Sequence, residues 1–174
     1  MQSSPAVAAF PDVVIVMGVS GSGKTVIGRL LAEALHAEFV DADDFHPPEN
    51  VARMREGMPL DDAARGPWLD RLAGLIETAI EKHRRMVLAC SALRRSYRLR
   101  LGVGRPEVQL VHLDGDESLL RERLEQRTGH FMPASLLASQ CALLERPTDD
   151  ERPMRVDIAP PPATLLRHII TALG

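Results

Sequence analysis

A glycine-rich stretch near the start of the chain has the residue types and spacing that bind phosphate groups. Residues 18–25 read GVSGSGKT and match the pattern G-x-x-x-x-G-K-[ST]. Glycines let the backbone approach a phosphate chain closely and turn its N–H groups toward it. In this pattern the lysine reaches the β- and γ-phosphates of a nucleotide, and the next hydroxyl is a Mg²⁺ ligand. The predicted phosphate site comprises Gly18, Val19, Ser20, Gly21, Ser22, Gly23, Lys24 and Thr25, with Thr25 also as metal ligand.

The neighbours of this stretch match the context that the pattern requires. An apolar run at residues 13–17 predicts a buried strand before it. The apolar residues that follow have helical spacing; they are Ile27, Leu30, Leu31, Ala34 and Leu35. The alternative is a Gly/Ser-rich turn that binds nothing, and this double context argues against it.

Two aspartates follow the second predicted strand, at residues 38–41. Asp41 and Asp43 are alternate residues, so both carboxylates can point into one cleft. One is then available to hold Mg²⁺ through its water shell, and the other to accept a hydroxyl proton from an acceptor substrate. A solvated acidic turn is the alternative, but the phosphate-binding stretch favours the catalytic interpretation.

Arginines occur in two places near the expected acceptor side of the site. Arg53 and Arg55 lie on a predicted helix at residues 49–56, and Arg94, Arg95 and Arg98 follow the third predicted strand. An anionic substrate would need such groups, since arginine can bind a carboxylate through two parallel hydrogen bonds. An exposed helix face is the alternative for most of the five. We expect Arg53 and Arg94 to contact substrate.

A second pair of arginines, Arg123 and Arg127, lies one helical turn apart and precedes Gly129. Arginines on a lid that closes over the site would stabilise a transferring phosphoryl group and exclude water. A surface salt-bridge ladder with Glu122 and Glu125 is the alternative. We place the lid at about residues 128–145 and assign Arg123 and Arg127 catalytic roles.

Two histidines, His46 and His130, are candidate contacts for a polyol substrate. Each is equally compatible with an ordinary loop position. Neither has the spacing of a metal ligand.

Length and composition indicate one globular domain. The chain has 174 residues, of which 45% are apolar and 26% charged, and its formal net charge is −3. This balance gives no reason to expect a nucleic-acid or membrane partner, and residues 1–12 lack signal-peptide features and are expected to be flexible. Cys90 and Cys141 do not suggest a disulfide framework, which favours the cytoplasm.

Short apolar runs alternate with segments of helical period along the chain. Strands are predicted at residues 13–17, 38–41, 86–90, 108–113 and 154–158. Pro67 is interpreted as the first residue of a long helix after a loop. This alternation predicts an α/β fold in three layers, α/β/α, with a five-stranded, mostly parallel sheet and a helical lid. Ligands bind at the carboxyl ends of the strands in such sheets.

Two features narrow the class of nucleotide-binding protein. The chain has a single asparagine, Asn50, so the N-K-x-D element by which GTPases read guanine is absent. The third strand ends in Cys90-Ser91 rather than in acids, so the metal carboxylate is expected from the second strand. Both features favour a small-molecule kinase.

Five segments together resemble the gluconokinases of the thermoresistant type. They are residues 18–25, DADDFHP at 41–47, PWL at 67–69, CSALRRSYR at 90–98 and GHFM at 129–132. The resemblance implies ATP- and Mg²⁺-dependent phosphorylation of D-gluconate at its 6-hydroxyl group, and frequently a homodimer. It also implies the fold of shikimate and nucleoside-monophosphate kinases. In that fold Asp43 would contact the acceptor hydroxyl and Asp41 the metal, and the adenine would lie against the Arg127 region and residues 159–161.

Two alternatives to this resemblance stay open at this point. One is another kinase of the same fold, acting on shikimate or a nucleoside monophosphate. The other is a nucleotide-binding module without catalytic activity.

Overall fold

The computed structural model describes residues 10–127 and 136–174, which form a five-stranded sheet with helices on both faces. The strands are β1 (Val13–Met17), β2 (Glu38–Asp41), β3 (Met86–Ala89), β4 (Val108–Asp114) and β5 (Met154–Asp157). The helices are α1 (Lys24–Leu35), α2 (Pro48–Arg55), α3 (Asp62–Glu81), α4 (Arg95–Arg100), α5 (Glu117–Glu125), α6 (Leu136–Leu143) and α7 (Pro162–Leu173). Two short 3₁₀ turns occupy Ala42–Phe45 and Asp149–Glu151.

The strand order is β2-β3-β1-β4-β5, and all four pairings are parallel. β1 lies in the centre, where Val13 is opposite Met86 of β3 and Val108 of β4. Every residue of β1 and β3 is buried, as expected for strands covered on both faces. The carboxyl ends of β1, β2 and β3 therefore meet at one edge of the sheet.

The alternation of side chains along β1 divides the core into two layers. Val13, Ile15 and Met17 pack on the face covered by α3, whereas Val14 and Val16 pack on the opposite face. The first layer includes Trp68, Leu69, Leu72 and Ile76 of α3. The second includes Ile27 and Leu31 of α1, Leu120 and Leu124 of α5, and Leu165 and Ile169 of α7. The predicted three-layer α/β fold is confirmed.

The start of α3 differs from the sequence-based prediction. Pro67 was expected to be the first helical residue, but α3 begins at Asp62 and Pro67 lies inside it. The Asp61 side chain accepts a hydrogen bond of 2.8 Å from Ala64 N and so caps the helix. Because this cap satisfies a first-turn N–H group, the helix forms five residues before the proline. The predicted start of this helix is therefore wrong, and Arg65 lies within the helix.

The two ends of the predicted domain are described only in part. Residues 1–9 lie outside the described residues, whereas Asp12 O accepts a hydrogen bond of 2.8 Å from Met86 N. Residues 128–135 of the predicted lid also lie outside them, and Leu136–Leu143 form α6. Within residues 10–127 and 136–174, no helix is long and apolar enough to cross a membrane.

Candidate active site

The glycine-rich stretch forms a loop between β1 and α1 at the carboxyl edge of the sheet. A Cβ atom on Gly18 would lie 2.5 Å from Ser22 Oγ and 2.9 Å from Leu113 O, so no larger residue fits there. Gly23 has φ 91° and immediately precedes α1. Since glycine carries no capping side chain, the first N–H groups of α1 are left for an anion, which the helix dipole also favours.

Lys24 is the first residue of α1, and its side chain folds back over the loop. Its Nζ donates a hydrogen bond of 3.1 Å to Val19 O. Burial lowers the pKa of Lys24, while the carboxylates of Asp43 and Asp41 act in the opposite direction. The ammonium group is thus partly desolvated and faces two acids across the cleft, where its charge acts strongly on a phosphate.

The hydroxyl of Thr25 contacts the first acid of β2. Thr25 Oγ1 donates to Asp41 Oδ2 over 3.1 Å, and Asp41 Oδ1 accepts a hydrogen bond of 3.0 Å from Asp43 N. The second bond caps the 3₁₀ turn and orients the Asp41 carboxylate. A hydroxyl and a carboxylate are the hard oxygen ligands that Mg²⁺ prefers, so this pair fits the metal that the loop motif implies.

Asp43 faces the cleft from the 3₁₀ turn after β2. Its side chain is 36% exposed, and burial of the remainder raises its pKa to about 6 although Lys24 acts to lower it. A carboxylate with such a pKa accepts a proton readily near neutral pH. The position and the pKa of Asp43 both suit a general base.

His46 lies beside Asp43, with its Nε2 3.9 Å from Asp43 Oδ1. Its ring stacks on Trp68 with centroids 4.2 Å apart and planes inclined by 15°. Burial, assisted by the charge of Arg65, lowers the pKa of His46 to about 4. His46 is therefore a neutral histidine at physiological pH. Trp68 Nε1 donates to Ala42 O over 2.7 Å, which fixes the stack to the 3₁₀ turn.

One cleft joins these groups. Besides residues of the loop, Asp41, Asp43 and His46, its lining includes Arg65 and Trp68 of α3, Ser91 and Leu93 after β3, Arg127 after α5, and Gln140 of α6. Gln140 Oε1 accepts a hydrogen bond of 2.7 Å from Ser20 N, so α6 contacts the loop directly.

The two arginines assigned to the lid occupy different places. Arg127 lines both the cleft and a neighbouring groove, whereas Arg123 lines the groove alone. Arg123 Nη2 donates to Ile158 O over 2.8 Å, which places it at the end of β5. Pro160 and Val26 form other parts of the groove, so it includes part of the segment 159–161 expected to contact adenine.

The arginines expected at the acceptor side lie outside the lining of the cleft. Arg53 is half-buried on α2. Arg94 precedes α4, and its Nη1 lies 3.6 Å from Asp62 Oδ2. His130, the other expected substrate contact, lies outside the described residues. Of the predicted acceptor contacts, the structure brings His46 and Asp43 together in the cleft.

Arg65, Trp68 and Gln140 line the cleft but are not among the site residues that the sequence predicts. A helix that starts at Pro67, as the sequence predicts, leaves Arg65 in the preceding loop. The signal that would have corrected this is Asp61, a good N-cap followed by Asp-Ala-Ala-Arg. The contact of Gln140 with the loop joins residues 120 positions apart, and no local pattern predicts it.

A phosphate-binding loop after β1, two carboxylates after β2 and a parallel three-layer sheet define a P-loop kinase of small molecules. A sequence family described as AAA domain matches residues 13–147. Over 145 residues the chain is 46% identical to the thermosensitive gluconokinase of Escherichia coli (strain K12). The aligned region covers 83% of this chain and 78% of that protein. The chain belongs to the gluconokinase family, which confirms the resemblance of its motifs.

Solved structures agree with this assignment. A gluconokinase from Sinorhizobium meliloti 1021 superposes with a TM-score of 0.82 at 45% identity, over 94% of this chain and 92% of that one. Shikimate kinase from Aquifex aeolicus superposes with a TM-score of 0.59 at 17% identity, over 92% and 95% of the two chains. The second likeness concerns the fold alone, and it confirms the predicted relation in fold to shikimate kinase.

Proposed function

We propose that the protein transfers the γ-phosphoryl group of ATP to the 6-hydroxyl group of D-gluconate and requires Mg²⁺. One observation carries this proposal: Lys24 and Thr25 of the phosphate loop face Asp43 and Asp41 across a single cleft, in a chain of the gluconokinase family. The donor side and the acceptor side of a phosphoryl transfer are thus adjacent.

On the donor side, the phosphates of ATP lie along residues 18–25 and the adenine lies in the groove at the end of β5. The N–H groups of the loop and the start of α1 bind the phosphate oxygens, and Lys24 binds the β- and γ-phosphates. Arg123, fixed on Ile158 O, and Pro160 border the adenine.

The hydroxyl group of Thr25 and the carboxylate of Asp41 would hold the metal on this side of the cleft. When bound, Mg²⁺ neutralises charge on the phosphate oxygens. The contact between Thr25 and Asp41 orients both ligands before the metal binds.

On the acceptor side, Asp43 accepts the proton of the 6-hydroxyl group as the oxygen attacks the γ-phosphorus. The new bond joins O6 to phosphorus, the bond from phosphorus to the β,γ-bridging oxygen breaks, and ADP leaves with that bonding pair. His46, neutral and adjacent to Asp43, contacts a hydroxyl group of the substrate. Arg127 stabilises charge on the transferring group, and closure of residues 128–145 excludes water.

Further parts of the proposal rest on the sequence and on the family. Arg53, Arg94 and His130 are the other predicted gluconate contacts. The protein is expected to act in the cytoplasm as a homodimer, which size-exclusion chromatography with light scattering tests. Its net charge of −3 gives no reason to expect a nucleic-acid partner.

An assay of ADP release tests the function against its alternatives. Purified protein is supplied with ATP and Mg²⁺ and with gluconate, shikimate or a nucleoside monophosphate in turn. Turnover with gluconate alone supports the proposal. Turnover only with shikimate or a nucleotide contradicts it, and nucleotide binding without turnover on any acceptor indicates a non-catalytic module.

A further inference from the structure

Arg65 is a cationic side chain on the acceptor wall of the cleft. It lies in the first turns of α3 and lines the same cleft as Asp43 and His46. Its Nη1 donates to Leu60 O over 2.5 Å and to Tyr97 Oη over 3.2 Å. Neither partner is an acid, but the charge of Arg65 also acts on nearby Asp62, where it helps to lower the pKa of that carboxyl group.

Three other arginines near this side lie within 4 Å of acids. Arg94 lies 3.6 Å from Asp62, Arg95 Nη2 lies 2.5 Å from Asp150 Oδ2, and Arg98 Nε lies 2.6 Å from Glu151 Oε1. These ion pairs reduce the charge that each arginine can offer to a substrate. Arg65 differs because it lines the cleft and both of its hydrogen-bond partners are neutral.

We propose that Arg65 binds the carboxylate of the acceptor substrate and thereby selects a sugar acid over a neutral polyol. This inference rests on the proposed function and assigns the recognition of the carboxylate to a residue other than Arg53 and Arg94. In gluconate the carboxylate and the 6-hydroxyl group are at opposite ends of the carbon chain. The two ends therefore need separate contacts, which Arg65 and Asp43 provide from one cleft.

Tyr97 positions the Arg65 side chain. The Tyr97 hydroxyl donates to Asp62 Oδ1 and accepts from Arg65 Nη1, and the Arg65 guanidinium carbon lies 5.5 Å from the Tyr97 ring centroid. Nη1 is thus used for structural contacts. A guanidinium group has five N–H donors, so those on Nε and Nη2 remain for two parallel hydrogen bonds to a carboxylate.

The geometry of Arg65 also explains why lysine would not replace it. A lysine ammonium is a point charge that binds a carboxylate without the paired geometry, and it has no planar group to stack on Tyr97. The R65K variant is therefore expected to bind gluconate less tightly than the native protein but more tightly than R65M.

The test combines kinetics with calorimetry on the full chain. In R65M the KM and the dissociation constant for gluconate should rise by about 10- to 100-fold, the loss expected for hydrogen bonds to a charged group. The dissociation constant for ATP should stay within about twofold, which shows that the fold and the donor site are intact. D-glucitol, which has a hydroxymethyl group in place of the carboxylate, should bind the native protein and R65M equally weakly.

Two further variants make the result decisive. Y97F keeps the ring but removes the hydroxyl group that accepts a hydrogen bond from Arg65, so it should raise the gluconate KM several-fold and leave kcat unchanged. R100M removes an exposed arginine that pairs with Asp70 on the outside of the protein, and it should change neither constant. If R65M fails to fold, R65K carries the same prediction with a smaller rise in KM.

An unchanged gluconate KM in R65M or R65K would overturn the inference. The same holds if R53M or R94M raises the gluconate KM while the Arg65 variants do not. Either result would leave the proposed function intact as long as the native protein phosphorylates gluconate. Absence of gluconate turnover in the native protein would instead overturn the proposed function.

Discussion

Thr25 Oγ1 donates a hydrogen bond of 3.1 Å to Asp41 Oδ2 and so joins the start of α1 to the end of β2. β1 and β2 are not neighbours, because β3 lies between them in the sheet. The contact therefore crosses the end of β3, where Cys90 and Ser91 offer no carboxylate. The two proposed metal ligands thus come from the chain segments that follow β1 and β2, the strands on either side of β3.

Replacement of Asp41 should weaken metal use specifically. In Asp41→Asn one charged ligand is lost, so the Mg²⁺ concentration for half-maximal activity should rise by about 10- to 100-fold. A magnesium titration at saturating ATP and gluconate measures this. The matched control is Asp44→Asn, an exposed acid on the same turn, which should not change the requirement. Equal magnesium dependence of native protein and Asp41→Asn would exclude Asp41 as a ligand.

Replacement of Lys24 should remove catalysis but not the fold. Its side chain makes one hydrogen bond to Val19 O, so Lys24→Ala costs little stability. Loss of its charge from the transferring phosphoryl group should lower kcat by at least about 100-fold. Kinetics measure kcat, and thermal unfolding followed by circular dichroism serves as the control for the fold. Near-normal turnover of Lys24→Ala would contradict the assignment of the loop as the donor site.

Protonation of Asp43 should make the activity fall at acidic pH. Because burial raises the pKa of Asp43 to about 6, the carboxylate that we propose as the acceptor of the hydroxyl proton is lost below that pH. The value of kcat/KM for gluconate should then fall by about tenfold per pH unit below pH 6. His46, with its pKa lowered to about 4, stays neutral over this range and adds no second fall in activity. A profile that is flat between pH 5 and 8 contradicts the role of Asp43.

The raised pKa of Asp43 affects stability in the opposite direction: activity rises with pH, whereas the free energy of unfolding falls. The folded-state pKa of Asp43 is above its ordinary value of 3.8, so between about pH 4 and 6 the folded state binds more protons than the unfolded one. The free energy of unfolding therefore falls as pH rises through this window. At pH 7 the Asp43→Asn variant should be inactive but have a higher Tm than the native protein, and the difference should narrow at pH 4. A lower Tm at pH 7 would argue against burial as the cause of the shift.

The sequence predicts the donor side of the site better than the acceptor side, for a physical reason. The phosphate loop is local: its glycines, Lys24 and Thr25 act within eight consecutive residues that must follow a strand and begin a helix. The strands are equally easy to predict, because continuous apolar runs such as residues 13–17 are characteristic of a central parallel strand. Both parts were therefore placed within one or two residues.

The position of each arginine relative to the cleft depends instead on contacts with residues that are distant in the sequence. Arg94 and Arg65 look alike in the sequence, but Arg94 lies beside Asp62 and outside the lining of the cleft, whereas Arg65 lies in it. The start of α3 decides the position of Arg65. That start depends on the cap by Asp61, which the proline at position 67 obscured.

Arg98 gives the clearest example of such a distant contact. The sequence places it among the candidate substrate arginines, but its side chain is buried. Its side chain is 0% exposed and that of Glu151 2%, and Nε lies 2.6 Å from Oε1. Arg98 Nη1 also donates to Ala92 O and Leu93 O, over 2.9 and 3.0 Å. The pair thus fixes the loop after β3, which supplies part of the wall of the cleft.

Removal of one partner should be costly because the other charge stays buried. We expect Arg98→Met to lower the free energy of unfolding by about 3–5 kcal/mol, whereas the double variant Arg98→Met/Glu151→Met should recover much of this loss. Urea unfolding of the native protein, both single variants and the double variant gives the interaction energy. Arg95→Met, which removes an exposed partner of the same acid, should cost about 1 kcal/mol or less and serves as the control. A loss in Arg98→Met no larger than in this control would mean that the pair does not hold the loop.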